Sequence, residues 1–325
     1  MWEQIRTNRL RSAILIIFMG TLLLAIGYLL GLFFLDSIIG GLAIAAAVWA
    51  VMCLVAFFQG DSILLGISGA RKITKSDDPL LYNIVEEMTL ASGLEHMPQV
   101  YIVRDAALNA FATGRNPQKA AVAVTSGLRS ALTRDELQGV VAHEIAHIKN
   151  RDVLLMTIAS IMLGAIVMLS WYATRAMFWG GGRRSSNNSG GAAGAIIMLV
   201  GLLLMILAPL FAQLIYFAVS RKREYLADAS AALYTRYPEG LASALDKLGK
   251  SAQKVKTAND ATAPMYIVNP FAKRKASTNW MSTHPPITER TRILRSMNGS
   301  SFMDYERSYN QLHHGKGVLP NSTLE

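Results

Sequence analysis

TRDELQGVVAHEIAHIKNRD, residues 133–152, is the stretch on which the reading of the chain turns. At its centre His143-Glu144-Ile145-Ala146-His147 has the H-E-x-x-H pattern. Thr133-Arg134-Asp135-Glu136 reads as a capping box, so a helix is expected to start at Thr133. Leu137, Val140, Val141, Ile145 and Ile148 recur at three- and four-residue steps and give that helix an apolar face. On it, two His four residues apart project from one side, close enough to share one Zn2+ at roughly 2.0–2.1 Å each. Glu144, offset by about 100°, can reach a water at the metal without ligating the metal, the position of a general base. The competing reading is a buried helix whose His only hydrogen-bond; with 6 His in the chain, an accidental match to this spacing is rare.

Working outward, the 325 residues are 52% hydrophobic and only 17% charged, where a soluble domain carries about 25% charged residues. The deficit lies in four uncharged runs, 12–35, 37–60, 153–174 and 191–220. About 20 residues cross the hydrocarbon core, so each run qualifies as a transmembrane helix. For the last two a buried core hairpin is the alternative. The first run is longer than the ~7–15 apolar residues of a signal peptide and lacks a cleavage site, so it reads as an uncleaved anchor.

Net charge is +10, and the basic residues gather at span ends: Arg6, Arg9 and Arg11; Arg71 and Lys72; Arg221, Lys222 and Arg223. That pattern fits a positive-inside bias and a lipid bilayer as partner, not nucleic acid. It puts the N-terminus in the cytoplasm. Arg175, Arg183 and Arg184 run against the trend, in a polar loop, 175–194, expected outside. Cys53 is the single cysteine, which excludes an internal disulfide and a cysteine metal ligand.

The expected organisation is an N-terminal transmembrane hairpin, 1–60; a first half-domain with a small sheet and the HEIAH helix, 61–152; a second transmembrane hairpin, 153–220; a second half-domain, 221–298; and a flexible C-terminal tail, 299–325. Residues 63–73, ILLGISGARKI, read as a short membrane-skimming segment. Asp77-Asp78-Pro79 caps a helix over 79–93 that Gly93 stops. Gln99–Arg104, Leu108–Thr113 and Ala120–Thr125 read as strands. Within them Asn109-Ala110-Phe111-Ala112 is the candidate edge to which an extended peptide substrate can add; a plain structural strand stands equally open. Residues 224–236, 239–254 and about 286–297 read as helices, and 255–280 as a mobile loop.

A catalytic Zn2+ needs a third protein ligand and an open position. Glu224 is the leading candidate. Asp228, four residues on, is placed to accept the second N–H of a ligand His. A surface pair between Glu224 and Arg221 is the alternative.

HEIAH, a transmembrane hairpin, Arg223-Glu224-Tyr225-Leu226-Ala227-Asp228, and then Ser282-Thr283-His284-Pro285-Pro286, taken together with the NAFATG strand, resemble the HtpX family. These are membrane-embedded zinc endopeptidases of bacterial inner membranes, related to the eukaryotic prenyl-protein (CAAX) processing peptidases. The resemblance covers most of the chain except its C-terminal tail. It implies a mostly α fold with a small β-sheet, four transmembrane helices and a zincin-type metallopeptidase domain. It implies one Zn2+ per chain on His143, His147 and Glu224, with Asp228 behind a ligand His, Glu144 as base and His284 stabilising the oxyanion. Arg290 would hold the His284 segment or a site carboxylate, or contact substrate. The implied role is hydrolysis of damaged or misfolded membrane proteins, with both termini and the active site on the cytoplasmic side of the inner membrane. A dedicated processing peptidase is the nearest alternative. A non-catalytic membrane protein with a structural metal is a further one, and it gives Glu144 no task. His96, His313 and His314 read as surface residues, and oligomeric state is left unassigned.

Overall fold

The computed structural model describes residues 2–158, 160–161, 171, 175, 221–251, 253–258, 265–268, 285–313 and 317–324. Helices α1 (Trp2–Phe34) and α2 (Ile38–Ile67) form an antiparallel hairpin. Ser37 caps α2 by accepting the Gly40 N–H. The two helices touch backbone to backbone: a Cβ on Gly27 would lie 2.7 Å from the Gly41 carbonyl oxygen, and one on Gly41 2.6 Å from the Gly31 Cα. Small residues at such a seam are what helix packing in lipid requires. Ile39, Ile44, Val51, Leu54 and Phe58 of α2 are exposed. By length and composition α2 is apolar enough to cross a membrane, and α1 holds a shorter apolar stretch, Ile16–Leu29. The expected third and fourth spans lie almost wholly outside the described residues.

The expected membrane-skimming segment is replaced by regular structure. α2 passes Gly60 and Asp61 without a break and continues to Ile67, and β1 (Ala70–Lys72) follows. Leu64 and Leu65 are too apolar to remain at an interface; they pack with Val103, Phe111 and Ala121 on one face of the sheet.

After α3 (Pro79–Ser92), capped by Asp78 and ended by Gly93 at φ 67, come β2 (Gln99–Val103), β3 (Ala110–Thr113) and β4 (Ala121–Thr125). The sheet is mixed, in the order β1-β2-β4-β3, with β2 parallel to β4 and the outer pairs antiparallel. α4 (Ser126–Ala131) leads to α5 (Arg134–Lys149), whose capping box at Thr133 and Glu136 forms as the sequence specifies.

α5 is the central element. Val140, Val141 and Ile145 pack in one core with Leu81 and Ile84 of α3, Val122 and Val124 of β4, and Leu241 and Leu245 of α8 (Pro238–Lys250). Between them run α6 (152–158) and α7 (221–235), on either side of the expected second hairpin. α9 (Ile287–Arg295) adds Ile293 and Leu294 to this core.

The expectation of a structureless 299–325 is not met. α10 (Phe302–His313) packs Tyr305 into the core, and Val318 and Leu319 follow it there. Buried Glu306 accepts the Val318 and Leu319 N–H groups, and His313 stacks on Tyr309 and pairs with Glu289 at 3.0 Å. The apolar positions of α10 are few, which is why periodicity alone gives a weak helix signal there.

Candidate metal centre

α5 presents His143 and His147 one turn apart, their Nε2 atoms 3.2 Å from each other and their rings edge to face. α7 approaches from the other half of the chain with Glu224. One carboxylate oxygen lies 3.7 Å from His143 Nε2 and the other 3.5 Å from His147 Nε2. All three side chains are buried, Glu224 at 1% exposure, so a surface pair between Glu224 and Arg221 is not its environment. The three groups can hold a metal ion. Donors set tetrahedrally about an ion at ~2.0–2.1 Å stand about 3.3 Å apart, and the spacings here match. Two imidazoles and one carboxylate are also a donor set that leaves zinc a fourth, open position.

Behind His143, Nδ1 meets Asp228 Oδ1 at 3.0 Å. Arg290 clamps the same carboxylate, its Nε at 2.8 Å and Nη2 at 2.6 Å, and donates from Nη1 to the Ile267 carbonyl. Arg290 is fully buried, so the structure brings it to a site carboxylate, one of the roles expected for it, and not to a surface that substrate reaches. Burial opposes the Asp228 charge, but Arg290 and His143 outweigh it and hold the carboxyl below its ordinary range.

Behind His147, Nδ1 lies 3.2 Å from Asp152 Oδ2. Sequence reasoning did not single out Asp152. It stands five residues past His147 and beyond the end of α5, where helical spacing no longer says which side chains meet.

Burial acts on the titration of His143, His147 and Glu144 alike. It pushes His143 down to about 4. It also disfavours the charged form of His147, but the hydrogen bonds with Asp152 and Glu224 prevail and hold that imidazolium up to about 10. It lifts Glu144 to about 7, helped by Glu224 and opposed by His147 and by the Ala112 N–H that donates to its carboxylate.

That last bond ties the site to β3, which is an edge strand as expected. The edge is not open along its length. The Ile267 N–H donates to the Ala110 carbonyl, Tyr266 bridges Phe111, and Asn109 bonds the Val268 carbonyl at 2.9 Å. Four residues inside the expected mobile loop, 265–268, therefore cover the Asn109–Phe111 end. Ala112 lies beside Glu144. His284, expected to stabilise the oxyanion, falls outside the described residues.

The family model for Peptidase family M48 matches residues 75–298. A protein named Protease HtpX homolog from Dictyoglomus turgidum (strain DSM 6724 / Z-1310) is 44% identical over 297 residues, 91% of this chain and 94% of that protein. One from Streptococcus agalactiae serotype III (strain NEM316) is 42% identical over 297 residues, 91% and 100% of the two chains. Among solved structures, the crystal structure of S. mikatae Ste24p aligns at 19% identity with a TM-score of 0.48, over 90% of this chain and 67% of that one.

Proposed function

The chain belongs to peptidase family M48, with HtpX proteases as its relatives, and is a metalloprotease; from this we propose that it is a zinc endopeptidase of the bacterial cytoplasmic membrane. Its substrates are damaged or misfolded membrane proteins, cleaved at the cytoplasmic face. The observation that carries the reading is the convergence of His143, His147 and Glu224 with Glu144 alongside.

His143, His147 and Glu224 would hold the Zn2+. When bound, the ion supplies Lewis acidity that acidifies a water and polarises the scissile carbonyl. Glu144 accepts the proton of the attacking water and returns it to the leaving amine. Glu144 is the one carboxylate of the HEIAH helix placed beside the ligand histidines for both transfers. Asp228, backed by Arg290, keeps the His143 ring turned so that Nε2 faces His147 and Glu224. His284 donates to the developing oxyanion. An extended substrate adds at the Ala112 end of β3, next to Glu144.

The membrane substrate class is supported by where this apparatus sits. Phe111 of β3 packs on Leu64 and Leu65, the last turns of the membrane-crossing helix α2. Arg115, just past β3, stacks on Phe57 and Phe58 of the same helix.

The test is cleavage by the full chain purified in detergent. A chelator should stop hydrolysis of a denatured protein and zinc should restore it. Glu144→Gln should retain one zinc and lose about 10²–10⁴-fold in rate; a near wild-type rate in that variant refutes the assignment of the base. Cleavage of several unrelated unfolded proteins supports quality control, whereas a single cut in a single substrate points to a dedicated processing peptidase.

A further inference from the structure

Each candidate ligand histidine has a buried carboxylate behind its Nδ1, one clamped by an arginine and the other only near one. On one side Arg290 holds Asp228 and Asp228 holds His143. On the other, Arg223 Nη1 stands 3.9 Å from Asp152 Oδ1, and Asp152 Oδ2 stands 3.2 Å from His147 Nδ1. Asp152 is fully buried and Arg223 is 4% exposed, so neither is a solvated surface charge. We propose that Asp152 is the positioning residue for His147, fixing its Nδ1–H tautomer and the aim of its Nε2 at the metal. This rests on the zinc-site reading given above.

The backbone is what brings Asp152 to His147. α5 ends at Lys149, and Arg151 adopts φ 61, a left-handed conformation that a non-glycine residue takes at a cost of about 1 kcal/mol or more. That reversal makes Asp152 the first residue of α6 and turns it back onto His147. The counter-ion comes from the other half of the domain: Arg223 immediately precedes Glu224 on α7. One turn of α7 therefore delivers both the third ligand and the partner of Asp152.

The test uses the full chain and the metal itself. Asp152→Asn removes the charge without changing the shape. It should weaken zinc binding, measured by chelator competition, by about 10–100-fold. It should also alter the visible absorption of the Co2+-substituted protein. Asp152→Glu keeps the charge with one methylene more and should fall between Asp152→Asn and wild type. Wild-type affinity and an unchanged cobalt spectrum in Asp152→Asn overturn the proposal. A readout independent of variant folding is 15N-histidine NMR of the zinc-loaded wild type. His147 should show a protonated, slowly exchanging Nδ1, and an unprotonated Nδ1 overturns the assignment. A wild-type chain that binds no zinc, or one whose zinc survives His147→Ala, defeats the zinc-site reading. Normal wild-type binding with an indifferent Asp152→Asn defeats only the role of Asp152.

Discussion

Glu136 shows how one buried carboxylate is fixed by several weak partners. It accepts the Thr133 N–H in the capping box, the Ser243 hydroxyl and the Lys247 ammonium at 2.7 Å. Burial opposes its charge, but the Lys247 and Thr133 bonds prevail and lower its pKa. The stability it contributes is therefore complete above its unfolded value, about 4.3, and is lost as pH falls through the lower folded value. Glu136→Gln should lower the thermal midpoint at pH 7, and the gap to wild type should narrow as the pH falls below the unfolded value of about 4.3. A gap that does not narrow would refute the linkage. At this scale the sequence is legible where the relation between residues is local and periodic. Thr133 with Glu136, and His143 with Glu144 and His147, are read from spacing within one helix. Glu224 needs the resemblance, because 77 residues separate it from His147. Asp152 escapes both routes, since the left-handed turn at Arg151 that brings it back is invisible in periodicity.

Elements are legible by their ends and much less by their partners. Asp78-Pro79, Gly93 and Thr133 each mark a terminus within a residue of where it forms, because caps satisfy backbone groups locally. That β3 is an edge is one of two readings the sequence leaves open, and nothing local foretells that residues 265–268 return to cover it. Asn109 is the pin of that cover, through its bond to the Val268 carbonyl and its acceptance of the Val268 N–H. Asn109→Ala should loosen the cover, read as faster amide exchange at Ile267, and lower KM for an extended peptide; a raised KM would make Asn109 a substrate contact instead. The α5–α8 contact is another pairing hidden from the sequence. A Cβ at Gly139 would stand 2.6 Å from the Leu241 nitrogen and 2.8 Å from its Cα, and backbone cannot yield as a side chain does. Alanine raises helix propensity by roughly 0.5–1 kcal/mol, while overpacking of this kind costs about 1–3 kcal/mol. The clash should win: Gly139→Ala is expected to lower the unfolding midpoint and, by shifting α5, to weaken zinc binding.

For the whole molecule, the site is shared by two stretches that the expected second hairpin separates in sequence, and a third stretch locks them. The family match ends at residue 298, but the structure does not. α10 lays Tyr305 into the core that also holds Tyr225 of α7 and Ile293 of α9. The Tyr225 hydroxyl donates to Glu289, which pairs in turn with His313 at the end of α10. The tail thus braces the helix that carries Glu224 against the helix that carries Arg290. Tyr305 separates packing from polarity in this brace. It is 0% exposed, and its hydroxyl has no hydrogen-bond partner among the described residues. Removing the hydroxyl costs no bond to the described residues and relieves a desolvated polar group, a cost of about 1–3 kcal/mol when unmet. Removing the ring leaves a cavity worth about 3–5 kcal/mol. Tyr305→Phe should therefore be neutral or stabilising in thermal unfolding of the detergent-solubilised chain, and Tyr305→Ala strongly destabilising. Because α7 and α9 meet at the metal centre, Tyr305→Ala should also release zinc to a chelator sooner. Unchanged zinc retention in a chain so destabilised would show that α10 braces the fold and not the site.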